Sequence, residues 1–105
     1  MARRTIDFTY NGVDYKLGFT LASIEQMERS GFILRELDTK MAIRTKELFY
    51  GSFMMNHKGI KRKLVDEIYD KLKDKEGLLL GLAELYNEAG EALLEEGNVG
   101  WTMSE

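Results

Sequence analysis

His57 is the one histidine of this chain, and its sequence neighbours do not equip it for acid–base chemistry. It stands in Asn56-His57-Lys58-Gly59, and the nearest acidic residue in sequence is Asp66. A general base needs an orienting partner and a pocket, so His57 reads as a solvated loop residue. Cysteine is absent, which excludes disulfides, thiolate metal sites and a cysteine nucleophile. Gly77-Leu78-Leu79-Leu80-Gly81 fails the phosphate-loop pattern because no Lys-Ser or Lys-Thr comes after it. No nucleophile elbow or metal-spaced acidic loop is present either. Asp66, Glu67, Asp70, Asp74 and Glu76 interleave with Lys61, Lys63, Lys71, Lys73 and Lys75. Such a pattern suits a solvated helix face stabilised by ion pairs rather than an acid–base pair. The inventory assigns no catalytic residue, no metal ligand and no cofactor, and the chain reads as a non-enzyme.

Binding chemistry is better represented. His57-Lys58-Gly59-Ile60-Lys61-Arg62-Lys63 is the one basic patch, and Lys58, Lys61, Arg62 and Lys63 are candidates for charged contact with a phosphate backbone or an acidic partner. The competing reading is a solvated helix start, since Asp66 and Glu67 come directly after it. Basic charge at a helix N-terminus opposes the helix dipole, so this end could rest against an acidic surface, the last helix of another copy being one candidate. Met27, Met41, Met54, Met55 and Met103 are many for a chain of 105 residues. Methionine adapts its shape to varied apolar ligands. Tyr50, Phe53, Met54 and Met55 together are the candidate partner-binding groove, with core filling as the alternative role of each.

These residues need elements to position them. Thr5-Ile6-Asp7-Phe8-Thr9-Tyr10 and Val13-Asp14-Tyr15-Lys16-Leu17 alternate apolar and polar about Asn11-Gly12, which predicts a β-hairpin over 5–19 with a two-residue type I′ turn. Tyr10 then faces Val13, Phe8 faces Tyr15 and Ile6 faces Leu17 on one side, and Asp7 faces Lys16 on the other. A short helix is expected from Leu21, with Thr20 as N-cap or Ser23 and Gln26 as an alternative capping box, and Gly31 ends it. Asp38 or Thr39 is expected to cap a second helix over about 40–55. Its stripe is Met41, Ala42, Thr45, Leu48, Phe49, Ser52 and Phe53, and Ile43, Tyr50 and Met54 are surplus apolar surface. Ile60, Leu64, Ile68 and Leu72 predict a third helix over about 60–75, which Gly77 separates from a fourth. That last helix carries a stripe of Leu78, Leu82, Leu85, Tyr86, Ala89 and Leu93, and an acidic outer face of Glu84, Glu88, Glu91 and Glu95. Gly81 and Gly90 imply tight packing or fraying there.

The fold class expected is α+β and mostly helical, a hairpin packed with about four helices in one domain over 1–96 (helical part 20–96), with 97–105 a mobile tail unless Trp101 docks. No apolar run is long enough to span a bilayer, and none comes after the basic Ala2-Arg3-Arg4 start as a signal peptide requires. The net charge of −3 gives no global footprint for nucleic acid or membrane.

The order of these elements carries a resemblance. The hairpin, the strand Tyr15-Lys16-Leu17-Gly18-Phe19-Thr20, the segment Ile24-Glu25-Gln26-Met27-Glu28 before a glycine, and the run Leu48-Phe49-Tyr50-Gly51 in a central helix together resemble the tail assembly chaperones of long-tailed bacteriophages and prophages. The likeness spans most of the chain and is one of pattern; its matching residues are packing residues, so no catalytic role carries over. The resemblance implies a non-enzymatic, cytoplasmic chaperone that binds the helical tape-measure protein, keeps it soluble, helps recruit tail-tube subunits and leaves before the virion matures. It also implies a homo-oligomer, and in many members a second, frameshifted length. The alternatives are a phage head–tail connector or completion protein, and a small nucleic-acid-binding regulator using Lys58–Lys63.

Overall fold

A computed structural model describes residues 4–104; Ala2 and Arg3 of the basic start and Glu105 of the tail lie outside the described residues. Asn11 and Gly12 take left-handed conformations, with φ 49° and 78°, as a two-residue type I′ turn demands. The turn joins β1 (Ile6–Tyr10) to antiparallel β2 (Val13–Leu17). The register is the expected one, with Ile6 opposite Leu17, Phe8 opposite Tyr15, Tyr10 opposite Val13, and Asp7 opposite Lys16. Lys16 Nζ lies 3.1 Å from Asp7 Oδ2. Cover is unequal: Tyr15 and Leu17 are buried, Ile6, Phe8 and Tyr10 are half-buried, and Val13 is exposed.

α1 (Leu21–Arg29) begins where Thr20 and Ser23 satisfy each other's backbone N–H groups in a capping box. Ser23 therefore sits inside the helix, and the alternative box with Gln26 does not form. The helix ends in a Schellman motif: Gly31 has φ 99°, its N–H donates to Glu28 O, and Phe32 N–H donates to Met27 O. Phe32 is thereby returned to the core. A 3₁₀ turn over Leu34–Leu37 leads to α2 (Met41–Ser52). Neither Asp38 nor Thr39 caps α2; Lys40 holds that position without a side-chain bond. Met41 and Ala42 are exposed rather than part of the buried stripe, because the first turn of α2 extends past the core. Arg44 secures this end by donating to Glu36 Oε1 at 2.9 and 2.7 Å and to Glu47 Oε1 at 2.6 Å.

α3 (Arg62–Lys71) is shorter than predicted, with Ile60 before it and Leu72 turned into extended backbone after it. α4 (Lys75–Gly90) starts one turn earlier than expected. Asp74 adopts φ 47° and its carboxylate accepts from Gly77 N–H at 3.1 Å, so Gly77 belongs to the first turn of α4 instead of separating two helices. The charges of this region also act differently from a lateral ion-pair ladder. Glu67 accepts from the Tyr10 hydroxyl at 2.6 Å, and Lys75 Nζ donates to the C-terminal carbonyls of Asp70 and Leu72. A carbonyl at a helix end draws a cation as well as a neighbouring carboxylate does.

The fold is thus α+β and mostly helical, a hairpin closed by four helices, with α2 packed against all three others. Leu17, Phe19, Leu48, Phe49, Phe53, Val65, Ile68 and Leu82 form its fully enclosed centre. Glycine permits two close approaches. A Cβ on Gly51 would lie 2.5 Å from Met27 Sδ, where α2 crosses α1, and one on Gly81 would lie 3.1 Å from Ile6 Cδ1. No helix among the described residues is long and apolar enough to cross a membrane.

Gly51→Ala gains helix propensity but forces the flexible end of Met27 to move, and the two effects are expected to offset to within about 1 kcal/mol in urea unfolding. Hydrogen bonds from Thr5 and then Lys16 hold the Asp7 carboxyl below its usual range, as those from Arg44 and Arg4 do for Glu36 and Glu88. Lowered folded values give stability that is present above the ordinary carboxylate range and lost as pH falls through the folded values. Melting temperature should therefore fall on acidification from pH ~5 to ~3, and added salt at neutral pH should shrink the difference, most at Asp7, which is exposed, and least at the half-buried Glu36.

Candidate functional site

The residues singled out in the sequence are not gathered into one groove. Phe53 is fully buried, with its ring centre 5.0 Å from Phe49, 5.8 Å from Tyr15 and 6.4 Å from Phe8. It offers no contact surface unless the core opens. Met54 is half-buried against the same core, and the Met55 methyl covers Gly18, where a Cβ would come within 2.7 Å of it. Tyr50 is half-buried beneath the Arg62 guanidinium, 4.6 Å from its ring centre. Stacking of this kind uses the face of Tyr50 that a ligand would need. The surplus apolar surface at the C-terminal end of α2 is therefore taken up by the chain itself, whereas Ile43 near its start stays exposed.

His57 is not a free loop histidine. Its Nε2 accepts from Lys16 N–H at 3.1 Å, and its ring lies 5.1 Å from Tyr15 and 6.2 Å from Phe53. It fastens the turn after α2 to β2. Lys58, Lys61, Arg62 and Lys63 are all exposed, and among the described residues none of the four lies in a salt bridge. The acidic face of α4 is partly engaged: Arg4 donates to Glu84 at 2.9 Å and to both carboxylate oxygens of Glu88, crossing from the N-terminal segment.

An open groove of about 610 Å³ runs between α1 and the C-terminal end of α4. Gly90 ends α4, and the next four residues tighten into a 3₁₀ turn, Glu91–Leu94. Three residues per turn instead of 3.6 rotates the side chains after Gly90 away from the buried stripe. Leu93 and Leu94 consequently stand 70% and 85% exposed, whereas the α-helical pattern places Leu93 inside. Leu21 and Ile24 line the groove from α1, and Glu25, Glu28 and Glu91 supply its carboxylates. Tyr86 braces the two walls. Its hydroxyl donates to Glu28 Oε2 at 3.1 Å, and its ring packs on Phe19 and Phe32 at 5.4 and 5.3 Å. Burial first, and the Glu28 carboxylate second, push the Tyr86 phenol well above its usual range, so it remains a neutral donor.

The groove is lined by apolar side chains and carboxylates. Its carboxylates face no basic side chain poised to share a proton, and among the described residues no cluster of three or more His, Cys, Asp or Glu could hold a metal ion. Its signal in the sequence is the pair Leu93-Leu94 just past Gly90, where a helix-breaking residue interrupts an apolar stripe.

No curated protein and no solved structure matches the chain. A family model described as a domain of unknown function, DUF5055, matches residues 1–104. Because that match runs almost the whole length of the sequence, this chain belongs to the DUF5055 family.

Proposed function

We propose that the protein is a non-enzymatic phage tail assembly chaperone that holds helical segments of the tape-measure protein in the groove between α1 and the end of α4. The observation that carries this reading is the exposure of Leu93 and Leu94 beside Leu21 and Ile24. Leaving a leucine in water forgoes about 1.5–3 kcal/mol of burial, which an apolar occupant restores. An amphipathic helix presents such anchors every three or four residues, and an open groove tolerates variation along a long client. Glu25, Glu28 and Glu91 favour a client whose apolar stripe is flanked by Lys or Arg. The order of elements along the chain supports the same reading. Assembly of many copies along one tape measure, recruitment of tail-tube subunits, residence in the bacterial cytoplasm and departure before the virion is complete belong to this proposal. The carboxylates that line the groove weigh against nucleic acid as its occupant.

Affinity capture of the tagged protein from cells making the phage or expressing the prophage tests the proposal. One very long helical protein should be recovered at both low and high salt. Leu93→Asp and Leu94→Asp should each lower that recovery about tenfold or more without lowering melting temperature, whereas Tyr50→Ala should leave it unchanged. Equal recovery by all variants would move the site elsewhere. Portal or capsid proteins in the eluate would replace the chaperone with the connector, and nucleic acid released by salt would replace it with the regulator.

A further inference from the structure

The two outer edges of the hairpin are treated differently. In an antiparallel pair, opposed residues alternate between those whose main-chain groups face each other and those whose groups face away from the partner strand. Lys16 is of the second kind, since its N–H donates to His57 Nε2 at 3.1 Å and its carbonyl accepts from Asn56 Nδ2 at 3.3 Å. Asp7, opposite Lys16, faces outward too, and so by alternation do Thr9 and Asp14. The edge of β2 is thus closed at Lys16 by two side chains from the turn after α2. The edge of β1 is open: among the described residues nothing bonds to the outward main-chain groups of Asp7 or Thr9. Ile6, Phe8 and Tyr10 run beside that edge half-buried, while Tyr15 and Leu17 on the closed side are buried.

We infer that β1 pairs antiparallel with β1 of a second copy of this chain, about a two-fold axis through Phe8. Charge selects this register. Asp7 then lies opposite the partner's Thr9, and Thr9 opposite the partner's Asp7, so each pair exchanges both of its ladder hydrogen bonds and no like charges meet. On the apolar side Phe8 meets the partner's Phe8, and Ile6 meets the partner's Tyr10, which extends the Phe8–Tyr15 stack across the interface. Sliding two residues one way sets Asp7 against the partner's Asp7, a destabilising pair. Sliding two residues the other way sets Ile6 against the partner's Gly12 and loses its apolar contact. The result is a four-stranded sheet, which supplies the strand partners that an isolated hairpin lacks. β1 carries neither the proline nor the lysine that blunts such an edge. The inference is independent of the groove.

The absence of cysteine makes the register directly testable. Sedimentation of the full chain over a range of concentrations should show a monomer–dimer equilibrium. Asp7→Cys and Thr9→Cys, oxidised as a mixture, should form a covalent heterodimer, and neither should do so alone, because identical positions lie on the diagonal of the pairing. Thr9→Pro removes an outward N–H and should raise the dimer dissociation constant about tenfold or more. A chain that stays monomeric at its highest soluble concentration overturns the proposal. So does a dimer that fails to cross-link between positions 7 and 9. The cross-link stands as the test should Thr9→Pro fail to fold.

Discussion

The enclosure of Phe53 at the end of α2 is the constraint on which the rest of this structure depends. A two-stranded hairpin cannot hold itself together in water. Here its inner face closes on one ring, which meets Phe8 and Tyr15 from the strands, Phe49 from its own helix and His57 from the turn after it. Three bonds to the main chain of the hairpin segment fix the approach: Gly18 N–H to Ser52 O at 3.0 Å, Lys16 N–H to the His57 ring at 3.1 Å, and Asn56 Nδ2 to the Lys16 carbonyl at 3.3 Å. Emptying a site as well enclosed as that of Phe53 costs about 3–5 kcal/mol, a large share of what a domain of this size possesses. Sheet and helices therefore stand or fall as one core.

With the centre of α2 committed inward, the proposed binding falls to the periphery of the bundle. α4 stops at Gly90, close to Ile24 of α1, and the Tyr86–Glu28 hydrogen bond ties the two helices together. The groove that results is built on helices rather than on a loop, and its apolar anchors project from the tight turn that ends the last one. The end of α2 and the turn after it, with Tyr50 under Arg62 and Met55 over Gly18, are internally satisfied. A surface that already has its partners gains little by meeting new ones.

The hairpin is legible in the sequence because one dipeptide, Asn11-Gly12, fixes both turn and register, and every side chain takes its place from it. The ends of α1 are legible for the same reason, since capping chemistry is local. The start of α4 is not: Asp74 caps from a left-handed conformation that Asp adopts seldom, and Gly77 reads as a breaker until its N–H is seen bonded to that carboxylate. His57 misleads when judged by its neighbours because its partner, Lys16, is 41 residues away. Tyr50, Phe53, Met54 and Met55 read as a partner-binding groove because a helical stripe does not reveal that the hairpin and the start of α3 will cover its flank. The groove needs two facts that periodicity cannot supply, the meeting of α1 with α4 and the change of pitch at Gly90.

The most direct measurement is an amide-resolved NMR titration of the full chain with a synthetic amphipathic helix that carries a leucine stripe flanked by lysines. Shifts concentrated at Leu21, Ile24, Tyr86, Gly90, Leu93 and Leu94, with the Phe53 core undisturbed, are the result predicted. Shifts gathered instead at Tyr50, Met54, Met55 and Lys58–Lys63, or no binding at all, would contradict the account.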